Sequence, residues 1–245
     1  MTGDLPTAFV SALAIGALAA LPLMLGAWLA LRRSLPGRLV GLVAAFGAGA
    51  LICAITFELV LDAVARGGPV ALGFWLAAGA IAYFLGSELL ERRVRSGAAA
   101  SRGIAILMGA MLDGIPESFI LGLSIATGTG LSVPFLLAVV ISNFPEGMAS
   151  AAELRGQPGF SDRRILVMWG IVIAVSALAA AVGATVSASG NAGAVAAAEA
   201  FAAGALLTML IDDLVPEARE RGGLGAGLVS VMGFAVAFVL HQIGR

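Results

Sequence analysis

The sequence predicts an all-α integral membrane protein: eight transmembrane helices in a 3+2+3 arrangement with an inverted repeat. Three observations predict it. Of 245 residues, 60% are hydrophobic and 12% charged, against about 25% charged in an ordinary soluble domain, and the mean hydropathy is +1.03. The apolar residues gather into stretches near the ~20 residues that a helix needs to cross a bilayer, without the short alternating segments of a barrel. Two pairs of segments also repeat along the chain in opposite predicted orientations. The composition excludes a disordered chain, a collagen-like chain and a disulfide scaffold. A net charge of −1 leaves no electrostatic footprint for nucleic acid, and one cysteine, Cys53, permits no internal disulfide.

The elements follow in order. Span one (9–31) comes after Asp4 rather than a basic segment and is too long for a signal-peptide core, so it reads as a crossing. Arg32, Arg33 and Arg38 follow it. Span two (39–61) runs out through Glu58 and Asp62, and Arg66 separates it from span three (70–90). Arg92, Arg93, Arg95 and Arg102 lead into spans four (103–126) and five (131–152). Arg155, Arg163 and Arg164 precede span six (165–188), and a short polar link leads to span seven (192–214). Arg219 and Arg221 precede span eight (224–240), and Arg245 follows it. Twelve of the fourteen basic residues, all arginine, thus fall on one side. The positive-inside rule makes that side cytoplasmic and puts both termini outside, as expected for a multi-pass protein of the plasma or inner membrane. The connections are short, so the chain reads as one transmembrane domain: repeat one over 1–97, a central helix pair over 98–156 and repeat two over 157–245.

The longer repeat pairs FGAGALICAITFELVLDA (46–63) with FAAGALLTMLIDDLVPEA (201–218), ungapped, at an offset of 155 residues. Acids coincide at Glu58/Asp213 and Asp62/Glu217. The partners sit in spans two and seven, which run in opposite directions, the signature of inverted-topology transporters. The shorter repeat pairs LDGIPE (112–117) with ISNFPE (141–146), in spans four and five.

These last segments carry the chemistry. An ionised carboxylate near the bilayer centre costs about 2.5–3.5 kcal/mol on insertion scales, and Asp113, Glu117, Asn143 and Glu146 all fall at mid-depth. Asp113 and Glu117 share one helix face at i, i+4, as do Ser142 and Glu146. Pro116 and Pro145 each remove a backbone N–H, which predicts helix breaks with free carbonyls at Leu112 and Ile141. Free carbonyls beside carboxylates hold cations in membrane bundles. No basic residue lies at that depth, so protons or a metal ion must balance the charge. Glu58 and Asp62 mark an outer mouth, and Asp212, Asp213 and Glu217 an inner one. Glu199 reads as nearer the outer face, His241 as an interfacial residue without a sequence partner, and Cys53, Met111 and Met148 as packing residues.

At these residues the sequence resembles the ZIP (Zrt/Irt-like protein) family of divalent-metal transporters. The matching segments are Asp113-Gly114-Ile115-Pro116-Glu117-Ser118, Ser142-Asn143-Phe144-Pro145-Glu146-Gly147 and Asp213-Leu214-Val215-Pro216-Glu217. The resemblance implies eight spans, termini outside, a homodimer, and metal uptake by alternating access, with Asp113, Glu117, Ser142, Asn143 and Glu146 at the metal-site positions. The metal is then substrate, not cofactor. Asp113 and Ser142 stand where the family has histidine, or in span five histidine or glutamine. The set therefore offers only oxygen ligands, which suit Mn²⁺, Fe²⁺ or Mg²⁺, whereas the family precedent is Zn²⁺. Two other classes are weighed from the same residues. One is an intramembrane hydrolase with Asp113 and Glu117 sharing a proton. The other is a proton-coupled organic-cation carrier, which an aromatic cage would support, with only Phe119 and Phe144 near the site.

Overall fold

A computed structural model of the chain describes residues 5–33, 35–95, 99–126, 131–155 and 157–243. Side chains are described within those ranges except at 5–6, 93–95, 99–105 and 126. The helices are α1 (Leu5–Arg32), α2 (Gly37–Ala54), α3 (Leu61–Arg95), α4 (Ala99–Ala126), α5 (Val133–Leu154), α6 (Asp162–Ala188), α7 (Ala192–Met209), α8 (Val215–Gly222) and α9 (Ala226–Ile243). One π-helical turn, Ile55–Val60, joins α2 to α3, and another, Leu210–Leu214, joins α7 to α8. No strand occurs among the described residues, and six helical stretches there are long and apolar enough to cross a membrane. The protein is an all-α membrane protein. The side chains of Arg93, Arg95, Arg102 and Arg245, and the expected boundaries at 97/98 and 156/157, lie outside what is described.

Two of the six stretches are too long for one crossing. Gly37–Arg92 has 56 residues and Ala192–Ile243 has 52. At ~1.5 Å per residue each would run roughly 80 Å, against a ~30 Å hydrocarbon core. A glycine interrupts each one. Gly68 has φ 79° and ψ 166°, and Gly223 has φ 69° and ψ −152°, conformations that L side chains rarely adopt. Both irregularities recur at the spacing of the sequence repeat: Ile55 and Leu210 open the π turns, and Gly68 and Gly223 break the helices, each pair 155 residues apart. Elsewhere the chain uses ordinary caps. Ser132, Ser161 and Asn191 each accept a hydrogen bond from the backbone N–H three residues on, starting α5, α6 and α7.

The expected breaks at Pro116 and Pro145 do not occur. Both prolines sit inside continuous helices, α4 and α5. A proline removes one N–H and crowds one carbonyl, and close packing by neighbouring helices tolerates that loss within a bundle. The irregular backbone lies instead at the two π turns, which hold Glu58 and Asp213.

Helix pairing depends on glycine. Helices α1 and α5, α4 and α6, α2 and α9, and α3 and α7 pack along one another. At each crossing two glycines face backbone reciprocally. A Cβ on Gly147 would overlap the carbonyl oxygen of Leu23, and one on Gly26 that of Phe144. The same relation links Gly122 to Ala180 and Gly183 to Phe119. It also links Gly49 to Ser230 and Gly233 to Phe46, and Gly204 to Leu76 and Gly79 to Phe201. In all four crossings each glycine lies three residues after the carbonyl that its partner glycine meets. Lipid supplies no hydrophobic drive between helices, so association rests on such close backbone approach and on Cα–H···O contacts.

The outward faces are apolar. On α3, Val70, Phe74, Ile81, Phe84, Leu85 and Leu89 are exposed, and on α9 Leu228, Val231, Met232, Val236 and Val239. Patches of this extent face lipid rather than water. Substituting alanine at Gly147 or Gly204 is expected to destabilise the fold by about 1–3 kcal/mol through overpacking. Gly73→Ala, with open space around it, should be neutral or slightly stabilising. Thermal unfolding in detergent checks both, and equal midpoints for all three variants would remove the crossings from the account.

Candidate functional site

Mid-bundle polarity centres on α4 and α5. Glu117, Ser118, Ser142 and Asn143 are buried, with Glu117 only 2% exposed, while Asp113 and Glu146 are half-buried. The i, i+4 spacing stacks Asp113 over Glu117 on α4 and Ser142 over Glu146 on α5, as the sequence predicts. Glu146 lies within electrostatic reach of Asp113 and Glu117, and also of Asp213 and Glu217. Glu117 Oε2 is buried and has no hydrogen-bond partner, an expensive state for a carboxyl oxygen.

The neutral members of the expected set face partly elsewhere. Asn143 donates from Nδ2 to the Ala19 carbonyl of α1, 2.9 Å away. The Ser142 hydroxyl donates back to Val139 within α5 at 3.0 Å. Their side-chain oxygens keep lone pairs, but the donors are committed to holding α5 in place. Among the described residues no group of three or more His, Cys, Asp or Glu side chains stands ready to hold a metal ion. Among the described residues no ion pair involves Asp113, Glu117 or Glu146. The structure therefore brings the carboxylates into one region without closing them around a common point.

At the arginine-poor end a cavity of ≈ 540 Å³ opens. Its wall includes Glu58, Asp62, Arg66, Glu199 and His241, and α4 contributes Ile120, Leu123 and Ser124. Ile120 is three residues beyond Glu117, so the cavity reaches within one helical turn of the buried acid. Both acids expected at the outer mouth line it. Glu58 Oε1 lies 2.6 Å from His241 Nδ1, and Asp62 pairs with Arg66 at 3.5 Å. Arg66 also pairs with Glu199.

The reading of His241 changes here, and Glu199, on the same cavity, gains a partner. His241 is not a lone interfacial residue: it is 6% exposed, paired with Glu58, and its Nε2 is buried without a partner. Glu199 is 4% exposed and held by an arginine, with Oε2 left unpaired. The signal missed in sequence was distance along the chain. Glu58 and His241 are 183 positions apart, and Arg66 and Glu199 are 133 apart, so no local spacing joins them.

At the arginine-rich end the expected acids separate. Asp212 is exposed. Glu217 pairs with Arg221 at 2.9 Å, one helical turn on. Asp213 is exposed as well, but its carboxylate accepts a hydrogen bond from Tyr83 at 2.7 Å. The same hydroxyl also bonds to Asp113. Tyr83, which sequence reasoning did not single out, is 4% exposed and the one tyrosine in the chain. It ties α3 to α4 and to the π turn after α7, and it occupies the space between the central acids and the arginine-rich end.

Comparison with protein-family models and with curated proteins returns no match, so the functional reading rests on these residues. Tyr83→Phe is expected to cost about 1–2 kcal/mol of stability, because the half-buried Asp113 and the exposed Asp213 lose the hydroxyl that they share. A double-mutant cycle with Asp213→Asn should show coupling of at least ~0.5 kcal/mol. Strictly additive effects in thermal unfolding would mean that the bridge carries no energy.

Proposed function

We propose that the protein transports a divalent metal cation across the membrane by alternating access, as an uptake carrier. One observation carries this reading. Asp113 and Glu117 lie within electrostatic reach of Glu146, with one carboxyl oxygen of Glu117 unpaired and, among the described residues, no ion pair to any of the three. Such a group needs protons or a metal ion to balance its charge.

The surroundings support a path. The acid-lined cavity reaches Ile120, one helical turn from Glu117, at one end, while Tyr83 bridges Asp113 and Asp213 toward the other. That arrangement suits an outward-facing state whose inner route is shut. A cation entering past Glu58 and Asp62 loses water to the carboxylates, with Asn143 and Ser142 offering oxygen ligands. Rearrangement at Tyr83 would then release it past Asp213 and Glu217. Asp212, being exposed, serves as a surface charge beside the exit. The three carboxylates close around the ion only when it arrives, since hard and borderline cations draw flexible oxygen ligands to ~2.0–2.6 Å.

The topology proposed with this reading has eight crossings in a 3+2+3 order. The two over-long stretches each turn back at their interrupting glycine, Gly68 or Gly223. The equal spacing of the π turns and glycine breaks supports an inverted repeat, as do the like pairs of crossings α2/α9 with α7/α3 and α1/α5 with α6/α4. By the positive-inside rule the arginine-rich end is cytoplasmic and both termini are outside. The resemblance to the ZIP family adds a homodimer in the plasma or inner membrane.

Ion choice becomes less one-sided with His241 on the entry cavity. Zinc is commonly held by imidazole nitrogen with carboxylate oxygen, so Zn²⁺ gains support at the mouth, while the oxygen-only centre still accommodates Mn²⁺ or Fe²⁺. Neither alternative class gains an observation. Asp113 and Glu117 share no hydrogen bond among the described residues, as a proton-sharing dyad would. Phe119 and Phe144 pack against separate apolar clusters rather than forming a cage.

Uptake of Zn²⁺ and Mn²⁺ into proteoliposomes tests the reading. Glu117→Gln and Glu146→Gln are each expected to lower the rate about tenfold or more, and undiminished transport in both would sink the assignment. His241→Ala should weaken capture of Zn²⁺ more than of Mn²⁺, seen as a selective rise in KM.

A further inference from the structure

A second cavity, ≈ 170 Å³, lies at the arginine-rich end and has the opposite electrostatic character. It is lined by Ala30, Arg33, Leu35, Gly37, Val40, Met148, Ala149, Ala152, Arg155 and Arg221. Three elements each present a guanidinium: the end of α1 (Arg33), the end of α5 (Arg155) and α8 (Arg221). Arg155 spends Nη1 on the Ala30 carbonyl at 3.1 Å, which holds the head at the cavity and leaves its other donors available. Arg221 engages Glu217 through Nε at 2.9 Å. Arg33 forms no ion pair among the described residues. The lining itself carries three arginines and no acid, so its wall repels a metal cation.

A second feature points the same way. Helix α2 starts at this cavity. Its N-cap is Pro36, and no side chain caps its first turn. Gly37, the first residue of α2, has nothing within 4 Å of where a Cβ would sit. An 18-residue helix therefore presents its free N–H groups and the positive end of its dipole to open space, a ready-made anion site. The remaining wall, Leu35, Val40, Met148 and the alanines, is apolar. The cavity volume matches that of about five or six waters, room for one phosphodiester group.

We propose that this cavity binds the phosphate of an anionic phospholipid headgroup. The guanidiniums and the α2 N-terminus take the phosphate oxygens, and the apolar wall takes the glycerol and first acyl carbons. The location fits that source, since the arginine-rich ends of membrane helices meet anionic headgroups. The site joins α1 and α5 on one side to α2 and α8 on the other, so a bound lipid would clamp the two pairs together. The proposal does not depend on what the protein transports.

The test uses the full chain in detergent, with unfolding followed through thiol labelling of buried Cys53. Short-chain phosphatidylglycerol should raise the midpoint saturably, by about 5 °C at a hundredfold excess over its Kd, while phosphatidylcholine of the same chain length should not. Arg33→Gln combined with Arg221→Gln should lower the apparent affinity at least tenfold. Arg32→Gln with Arg163→Gln removes the same charge outside the cavity and should leave affinity unchanged. If the cavity variant fails to fold, native mass spectrometry of the unaltered protein serves instead: retention of phosphatidylglycerol over phosphatidylcholine supports the site, and equal retention overturns it. No midpoint shift, or an equal shift in both double variants, overturns the proposal. The full shift obtained with inorganic phosphate alone overturns the lipid source.

Discussion

The structure depends on backbone touching backbone at four helix crossings. Within lipid, an apolar side chain gains little by leaving hydrocarbon for another helix, so pairing must come from close approach. The reciprocal glycines provide it. Gly26 with Gly147, Gly122 with Gly183, Gly49 with Gly233 and Gly79 with Gly204 each place carbonyl oxygens where a Cβ would otherwise stand. A core built largely of alanine follows from the same constraint, because larger residues would push the helices apart.

These crossings sort the helices into two sets. Helices α1, α4, α5 and α6 pair among themselves, and so do α2, α3, α7 and α9. The polar contacts at the cavity mouth, Glu58–His241 and Arg66–Glu199, stay within the second set, and Asn143–Ala19 stays within the first. The bond between Tyr83 and Asp113 joins one set to the other. A relative shift of the sets would leave the four reciprocal glycine crossings intact, while it would move Gly47 of α2 along the Ser142 backbone of α5 and break or remake that bond. Closely packed elements with two discrete arrangements are the usual material of such transitions.

Much of the fold was legible in the sequence because its signals are local or additive. Hydropathy summed over ~20 residues finds helical stretches long and apolar enough to cross a membrane. The 155-residue offset read from FGAGAL and FAAGAL reappears in the π turns and the helix-breaking glycines. The i, i+4 stacking of Asp113 on Glu117 follows from helical geometry alone. The prolines misled because a missing N–H was equated with a broken helix, whereas α4 and α5 run on through Pro116 and Pro145. The π turns leave no such mark: an extra residue in a turn arises from strain between packed segments rather than from one residue type.

By itself, then, the sequence determined an all-α membrane protein, the spacing of its acids along their helices and the asymmetry of its arginines, since each is a property of a residue and its near neighbours. Tertiary structure decided which charges meet. It buried His241 against Glu58, gave Glu199 to Arg66, set Tyr83 between Asp113 and Asp213, and turned Asp212 outward. A carboxylate in a bundle takes whatever donor the crossing angles bring within reach, and those angles are set by glycines 61 to 184 residues apart in the chain, from Gly122 and Gly183 to Gly49 and Gly233.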